Sequence, residues 1–115
     1  MVMIPKTGNI IYIDFNPSIG SEIQKRRPAV VISNNTLMQT SPFVWVVPIS
    51  HGHFDGDNYP LHVILDEQTS IEGTIYTEQI KAFDYRNRHW QYVEDLPKNL
   101  LDELRMKVML TVQAN

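Results

Sequence analysis

The expected fold is a small, mainly β domain, an antiparallel barrel closed by one amphipathic C-terminal α-helix. Three observations predict it. Short runs rich in Val, Ile and aromatic residues recur between turn residues. No regular alternation of strand and helix appears, as a parallel sheet would need. Only the tail after Pro97 changes from a two-residue period to helical spacing. With 115 residues and no internal repeat, low-complexity tract or linker, residues 1–115 make one unit around one core.

The elements follow in order. "NIIYIDF" alternates, with Ile11, Ile13 and Phe15 on one face and Ile10, Tyr12 and Asp14 on the other. "PAVVIS" is the second strand, with Pro28 at its start, where a missing ladder N–H is tolerated. "NNTLMQT" suits a short helical turn capped by Asn34 or Asn35. "FVWVVPIS" is a third strand, in which Pro48 marks an edge or a bulge and the surrounding valines place Phe43 and Trp45 in the core. "HGHFDGDNYP" has the composition of a loop, and "LHVIL", "TIYT", "IKAFD" and "WQYV" supply further strands. In the tail, Leu100, Leu101, Leu104, Val108 and Val112 recur at helical spacing, with Pro97 at the first helical position. Met106, Met109 and Leu110 widen the apolar surface beyond one stripe, which fits either a contact with a second subunit or a fully buried helix end.

Composition narrows the function. Without cysteine there is no disulfide framework, thiol nucleophile or cysteine zinc site. Pro5, Lys6 and Gly8 interrupt the apolar N-terminus before a signal-peptide core could form, and no apolar run approaches the roughly 20 residues of a membrane span. A soluble cytoplasmic protein is expected. A net charge of −3 argues against coating nucleic acid through a basic surface. Local basic sites are still present: Lys25, Arg26 and Arg27 cluster, and Lys81, Arg86 and Arg88 form a looser second group.

The first loop, "GSEIQKRRP", concentrates groups suited to a phosphodiester. Arg27 can grip phosphate oxygens in a fork, Lys25 and Arg26 add charge, and Glu22 can accept a proton. Gly20 and Ser21 allow the backbone close to a ligand. On spacing alone, a solvated charged turn is the plainer reading.

The longer stretch "GNIIYIDFNPSIGSEIQKRRPAVVIS" resembles the opening of the MazF/PemK family of toxin endoribonucleases, at Gly8, Asp14-Phe15, Pro17, Gly20-Ser21-Glu22 and Arg27-Pro28. Downstream, "VVPIS" is similar to the family's Val-Pro-x-Thr strand end at Val47, Pro48 and Ser50, and "GTIYTEQIKAFD" to a further family segment at Gly73, Gln79 and Asp84. The resemblance spans nearly the whole chain. It implies an SH3-like barrel, a homodimer, a cognate antitoxin partner and cleavage of single-stranded RNA without a metal or other cofactor. It also implies that Glu22, Arg27 and Ser50 are catalytic, and that Ser21, Lys25, Arg26, His51, His53, Gln79, Lys81 and Arg86 border the RNA.

This chain departs from the family pattern at several positions. Ser50 stands where Thr is usual, and Lys25 where many members carry Gly. Glu78 replaces an Asp that one branch uses catalytically, but that branch has Arg where this chain has Tyr76, so that branch's mechanism is not expected here, and Glu78 is left open between a catalytic and a structural role. His51, His53 and Asp55 imitate a metallo-hydrolase motif, although such folds use further distant His ligands, and a strand-joining loop is the expectation. Trp90 is open to either core packing or base stacking, with Tyr92, Arg86 and Arg88 beside it. Two rivals change the target or the activity: a gyrase-directed toxin of the same fold and a non-catalytic SH3-like binding module. The first fits poorly with the non-aromatic end "TVQAN", the second with the retained Glu22, Arg27 and Ser50.

Overall fold

Every run with strand character forms a strand. The computed structural model describes residues 3–51 and 59–114. In order these are β1 (Asn9–Asp14), β2 (Arg26–Val31), α1 (Asn35–Thr40), β3 (Phe43–Ser50), β4 (His62–Ile64), β5 (Thr74–Tyr76), a 3-10 turn (Thr77–Gln79), β6 (Lys81–Asp84), β7 (Trp90–Asp95) and α2 (Lys98–Val112). All pairings are antiparallel, in the order β4-β5-β3-β2-β1-β7, with β6 also on β3. Among the described residues β4 and β7 do not pair with each other, so this ladder is an open sheet and does not itself close the expected barrel.

Both faces of the sheet are covered, and the strand alternation divides the core accordingly. Ile10, Val30, Val47 and Ile49 pack with Leu96, Leu100 and Leu104 at α2. Ile11, Ile13, Ala29, Val31, Val44 and Val46 point the other way, onto Phe15, Phe83, Tyr85 and the α1 residue Met38. Ile10 and Ile11 are therefore both buried although adjacent, at a register shift against β7. Tyr12 lies on the Ile10 face, where Arg26 covers it with its guanidinium 4.8 Å from the ring centre.

The same geometry corrects the expectation for Phe43 and Trp45. They are 46% and 48% exposed. Both share a strand face with Val47 and Ile49, but α2 packs against β4 and the 3-10 turn and does not reach the Phe43 end of β3. Val44 and Val46, on either side of Trp45, are buried because they project to the opposite face.

Both prolines fall where a ladder bond is dispensable. Pro28 pairs with Tyr12 of β1 but lies outside the β2–β3 register, which begins at Ala29. Pro48 sits where β3 changes neighbours, between the Phe43–Val46 segment on β6 and the Ile49–Ser50 segment on β5. Asn34 caps α1, its side chain accepting from the Leu37 N–H at 3.0 Å, while Asn35 instead accepts from the Thr7 N–H at 2.9 Å. Pro97 is the cap of α2 rather than its first residue, and its carbonyl accepts from Leu100 and Leu101. On the solvent side of α2, Met106, Met109 and Leu110 are exposed, which excludes the fully buried helix end. No helix among the described residues is long and apolar enough to cross a membrane.

Candidate active-site cleft

The loop between β1 and β2 is held from several sides. Phe15 N–H donates to the Lys25 carbonyl at 2.9 Å, and the Asn16 side chain accepts from Lys25 N–H at 3.0 Å. Lys25 has φ +69°, a left-handed conformation that favours glycine. Ser18 Oγ reaches the Phe15 and Ile23 carbonyls, and Arg88 Nη1 donates to the Asp14 and Asn16 carbonyls. From across the sheet, Gln79 in the 3-10 turn accepts from the Ile23 N–H at 2.9 Å.

Within this frame Glu22 has both carboxylate oxygens engaged. Oε1 accepts from the Ile19 N–H at 2.7 Å, and Oε2 from Lys81 Nζ at 2.8 Å. The Lys81 hydrogen bond, then the Ile19 N–H, and the Lys81 charge hold the Glu22 carboxyl below its ordinary pKa despite partial desolvation. Ser21, Glu22, Glu78, Gln79, Ile80 and Lys81 line an open cleft of about 410 Å³.

Register relates the other two expected catalytic residues to this cleft. The β2–β3 pairing matches Val31 with Val46 and Ala29 with Pro48, and Arg27 and Ser50 each lie two residues beyond its end. Lys81 pairs with Val46. By alternation Arg27, Ser50 and Lys81 then belong to one face of the sheet. Arg27 Nε donates to the Gln24 carbonyl at 3.0 Å, which orients its guanidinium along the first loop. Ser50 is buried at the end of β3, opposite Thr74 of β5. Next to Thr74, Gly73 has φ +133°, and a Cβ there would lie 2.6 Å from the Ser50 carbonyl oxygen. Only glycine permits that approach.

The remaining expected site residues divide. Ser21, Gln79 and Lys81 are brought together with Glu22, and Lys25 lies in the same loop. Arg26 is not, because it projects to the opposite face, over Tyr12 and onto Gln91 Oε1 at 2.9 Å. Arg86 lies past the far end of β6, lining a separate groove of about 810 Å³ with Trp90 and Tyr92. Among the described residues no carboxylate lines that groove, whereas Glu22 and Glu78 line the smaller cleft. Trp90 also packs against the Met38 cluster. His51 is exposed just beyond β3, while His53 and Asp55 lie outside the described residues.

A second polar arrangement was not anticipated. His62 Nε2 lies 3.0 Å from both Glu78 oxygens, with its ring stacked on Tyr76 at 4.4 Å and edge-on to Tyr59 at 4.7 Å. From α2, Lys107 donates to the His62 carbonyl at 2.7 Å and pairs with Glu103 at 2.9 Å. Glu78 is thereby tied to β4. His62 and Glu78 are 16 positions apart, so no local pattern links them.

With this geometry in hand, comparison identifies the chain's relatives. The family described as "PemK-like, MazF-like toxin of type II toxin-antitoxin system" matches residues 6–112. The chain is 32% identical over 85 residues to the endoribonuclease toxin MazF of Escherichia coli K12, covering 74% of this chain and 73% of that protein. It is 31% identical over 116 residues to endoribonuclease EndoA of Bacillus subtilis, covering 98% and 95%. In structure it resembles MazF from Deinococcus radiodurans, with a TM-score of 0.86 at 23% identity over 96% of this chain and 98% of that one. The chain belongs to the PemK-like, MazF-like toxin family of type II toxin–antitoxin systems.

Proposed function

We propose that this protein is a sequence-specific, metal-independent endoribonuclease, the toxin of a type II toxin–antitoxin pair, acting in the cytoplasm on single-stranded mRNA. The observation that carries this reading is Glu22, an ionised carboxylate in an open cleft, with a cation bonded to it and Arg27 and Ser50 on the adjoining sheet face. A phosphodiester cleaved by its own ribose needs a base for the 2′-proton, positive charge for the phosphorane and a proton for the departing oxygen.

Glu22 takes the 2′-proton, the 2′-oxygen bonds to the adjacent phosphorus, and the bond from phosphorus to the 5′-oxygen breaks. The products are a 2′,3′-cyclic phosphate and a 5′-hydroxyl. Arg27, with a side-chain pKa above about 12, holds the phosphorane oxygens and does not donate a proton. Water protonates the 5′-oxygen, and the hydroxide left behind takes up the proton held by Glu22, which returns the carboxylate to its starting form. Ser50 supplies a hydroxyl to a phosphate oxygen.

The same reading takes the sheet as an SH3-like barrel, supported by the change of neighbours that β3 makes at Pro48. It pairs two copies as a homodimer, supported by the exposed Met106, Met109 and Leu110 on α2. The cognate antitoxin is the expected protein partner, in keeping with the family's description. A gyrase-directed action or a non-catalytic binding role would leave the Glu22 arrangement without use. The test is incubation of purified protein with a long single-stranded RNA in EDTA, followed by mapping of the cuts. Reproducible cleavage at one short motif supports the proposal, whereas intact RNA or cleavage only on return of a metal overturns it.

A further inference from the structure

Glu22 in the free protein is bonded in a way that works against its role as a base. Lys81 Nζ lies 2.8 Å from Oε2, with side chains 27% and 41% exposed for Lys81 and Glu22. A proton arriving at this carboxylate has to compete with an ammonium already bonded to it. The pair is also weak enough to exchange, because partly exposed ions are screened by water. Lys81 is anchored by its backbone in β6 opposite Val46, and only its flexible stem reaches across to the first loop.

Taking the nuclease reading as its basis, we infer that Lys81 is a positioning residue that latches Glu22 in the free protein and turns its ammonium onto the scissile phosphate when RNA enters the cleft. An ammonium carries three donors, so Lys81 can hold the carboxylate while it first meets a phosphate oxygen. As the phosphate takes over, Glu22 loses its strongest partner and becomes the better base. The latch also fixes the carboxylate's position before substrate arrives. The other charged groups around Glu22 are Glu78, which lines the same cleft and is bonded to His62, and Lys25 and Arg27 toward the end of the same loop. Neither Lys25 nor Arg27 is bonded to the Glu22 carboxylate, whose oxygens meet Ile19 and Lys81.

The test is a carbon-detected NMR titration of the Glu22 carboxyl in the full chain, for the wild type, Lys81→Met and Lys81→Arg. Each is measured free and saturated with a 2′-O-methylated oligonucleotide spanning a mapped cut, which cannot react. In the free proteins Lys81→Met is expected to titrate at higher pH than the wild type, and Lys81→Arg to restore the lower midpoint. RNA is expected to raise the midpoint in both the wild type and Lys81→Met, because a phosphate brings negative charge to each, but further in the wild type, where it also removes the latch. Equal rises with RNA bound, or equal midpoints in the free proteins, overturn the latch and leave the nuclease reading standing. An oligonucleotide that binds neither protein, with wild-type protein that leaves RNA intact, overturns the nuclease reading and the latch with it.

Discussion

Replacing Gly73 by alanine tests how closely the β5 end of the site is built. The new Cβ would lie 2.6 Å from the Ser50 carbonyl oxygen, 3.0 Å from its carbon and 3.2 Å from Ile49 Cγ2. The first two are backbone atoms, and Ser50 cannot retreat freely because it is paired with Thr74 while Ile49 is paired with Ile75. Relief through Gly73 is also restricted, since its carbonyl accepts from Leu65 N–H at 3.0 Å. A non-glycine residue held at φ +133° adds strain of about 1–3 kcal/mol, partly offset by about 0.4–1 kcal/mol from the stiffer unfolded chain. With displacement of the ladder included, a loss of about 2–4 kcal/mol is expected. For a chain of 115 residues that lowers Tm by about 8–16 °C. Calorimetry or a urea titration reads it, and cleavage should fall further than unfolding explains because Ser50 moves. A Tm within about 2 °C of wild type, with full cleavage, would refute the close packing argued for Gly73 and Ser50.

Three further outcomes follow from the packing and the charges. Leu104→Ala, at a fully buried position under the sheet, should cost about 2–5 kcal/mol, whereas Met109→Ala, at a position 68% exposed, should change monomer stability by less than about 0.5 kcal/mol; chemical denaturation at low protein concentration compares them. The Ser70 hydroxyl, followed by the Ser70 and Ile71 N–H groups, lowers the Glu94 pKa against partial desolvation, so this carboxylate adds stability above its unfolded value of about 4.3 that disappears as pH falls through the lower folded value. Glu94→Ala should therefore destabilise by about 1–2 kcal/mol at pH 7, and the gap to wild type should narrow in acid, as urea titrations across pH will show. Glu78→Gln should lower RNA cleavage less than about 10-fold, in contrast to a loss of about 10²- to 10⁴-fold for Glu22→Gln, because Glu78 is bonded to His62; single-turnover assays separate the two.

What could be read from the sequence was local. The period of two in "NIIYIDF" and the helical spacing after Pro97 led to β1 and α2, and the β-branched run "FVWVVPIS" to β3. Phe43 and Trp45 went astray because alternation states which residues share a face, but not how far the covering helix extends along it. Arg26 was grouped with Arg27 by adjacency, whereas strand geometry sends neighbours to opposite faces. At the candidate site, Glu22 and Arg27 were singled out through the ordered family pattern. The bond from Lys81 to Glu22 was not, since 59 positions separate them and only the pairing of β6 with β3 brings them together. The left-handed backbone at Lys25 was likewise not legible, since nothing in a lysine signals it.

The most direct measurement is cleavage of an RNA carrying a single 2′-deoxy nucleotide immediately 5′ of one mapped cut, with an unmodified cut site elsewhere in the same strand as control. If the adjacent ribose supplies the nucleophile, cleavage at the modified site should vanish while the control site is cut at its usual rate to a cyclic-phosphate end, and Glu22→Gln should slow the control site by about 10²- to 10⁴-fold. Undiminished cleavage beside the deoxy nucleotide would contradict attack by the 2′-hydroxyl and remove the reason for assigning Glu22 as its base.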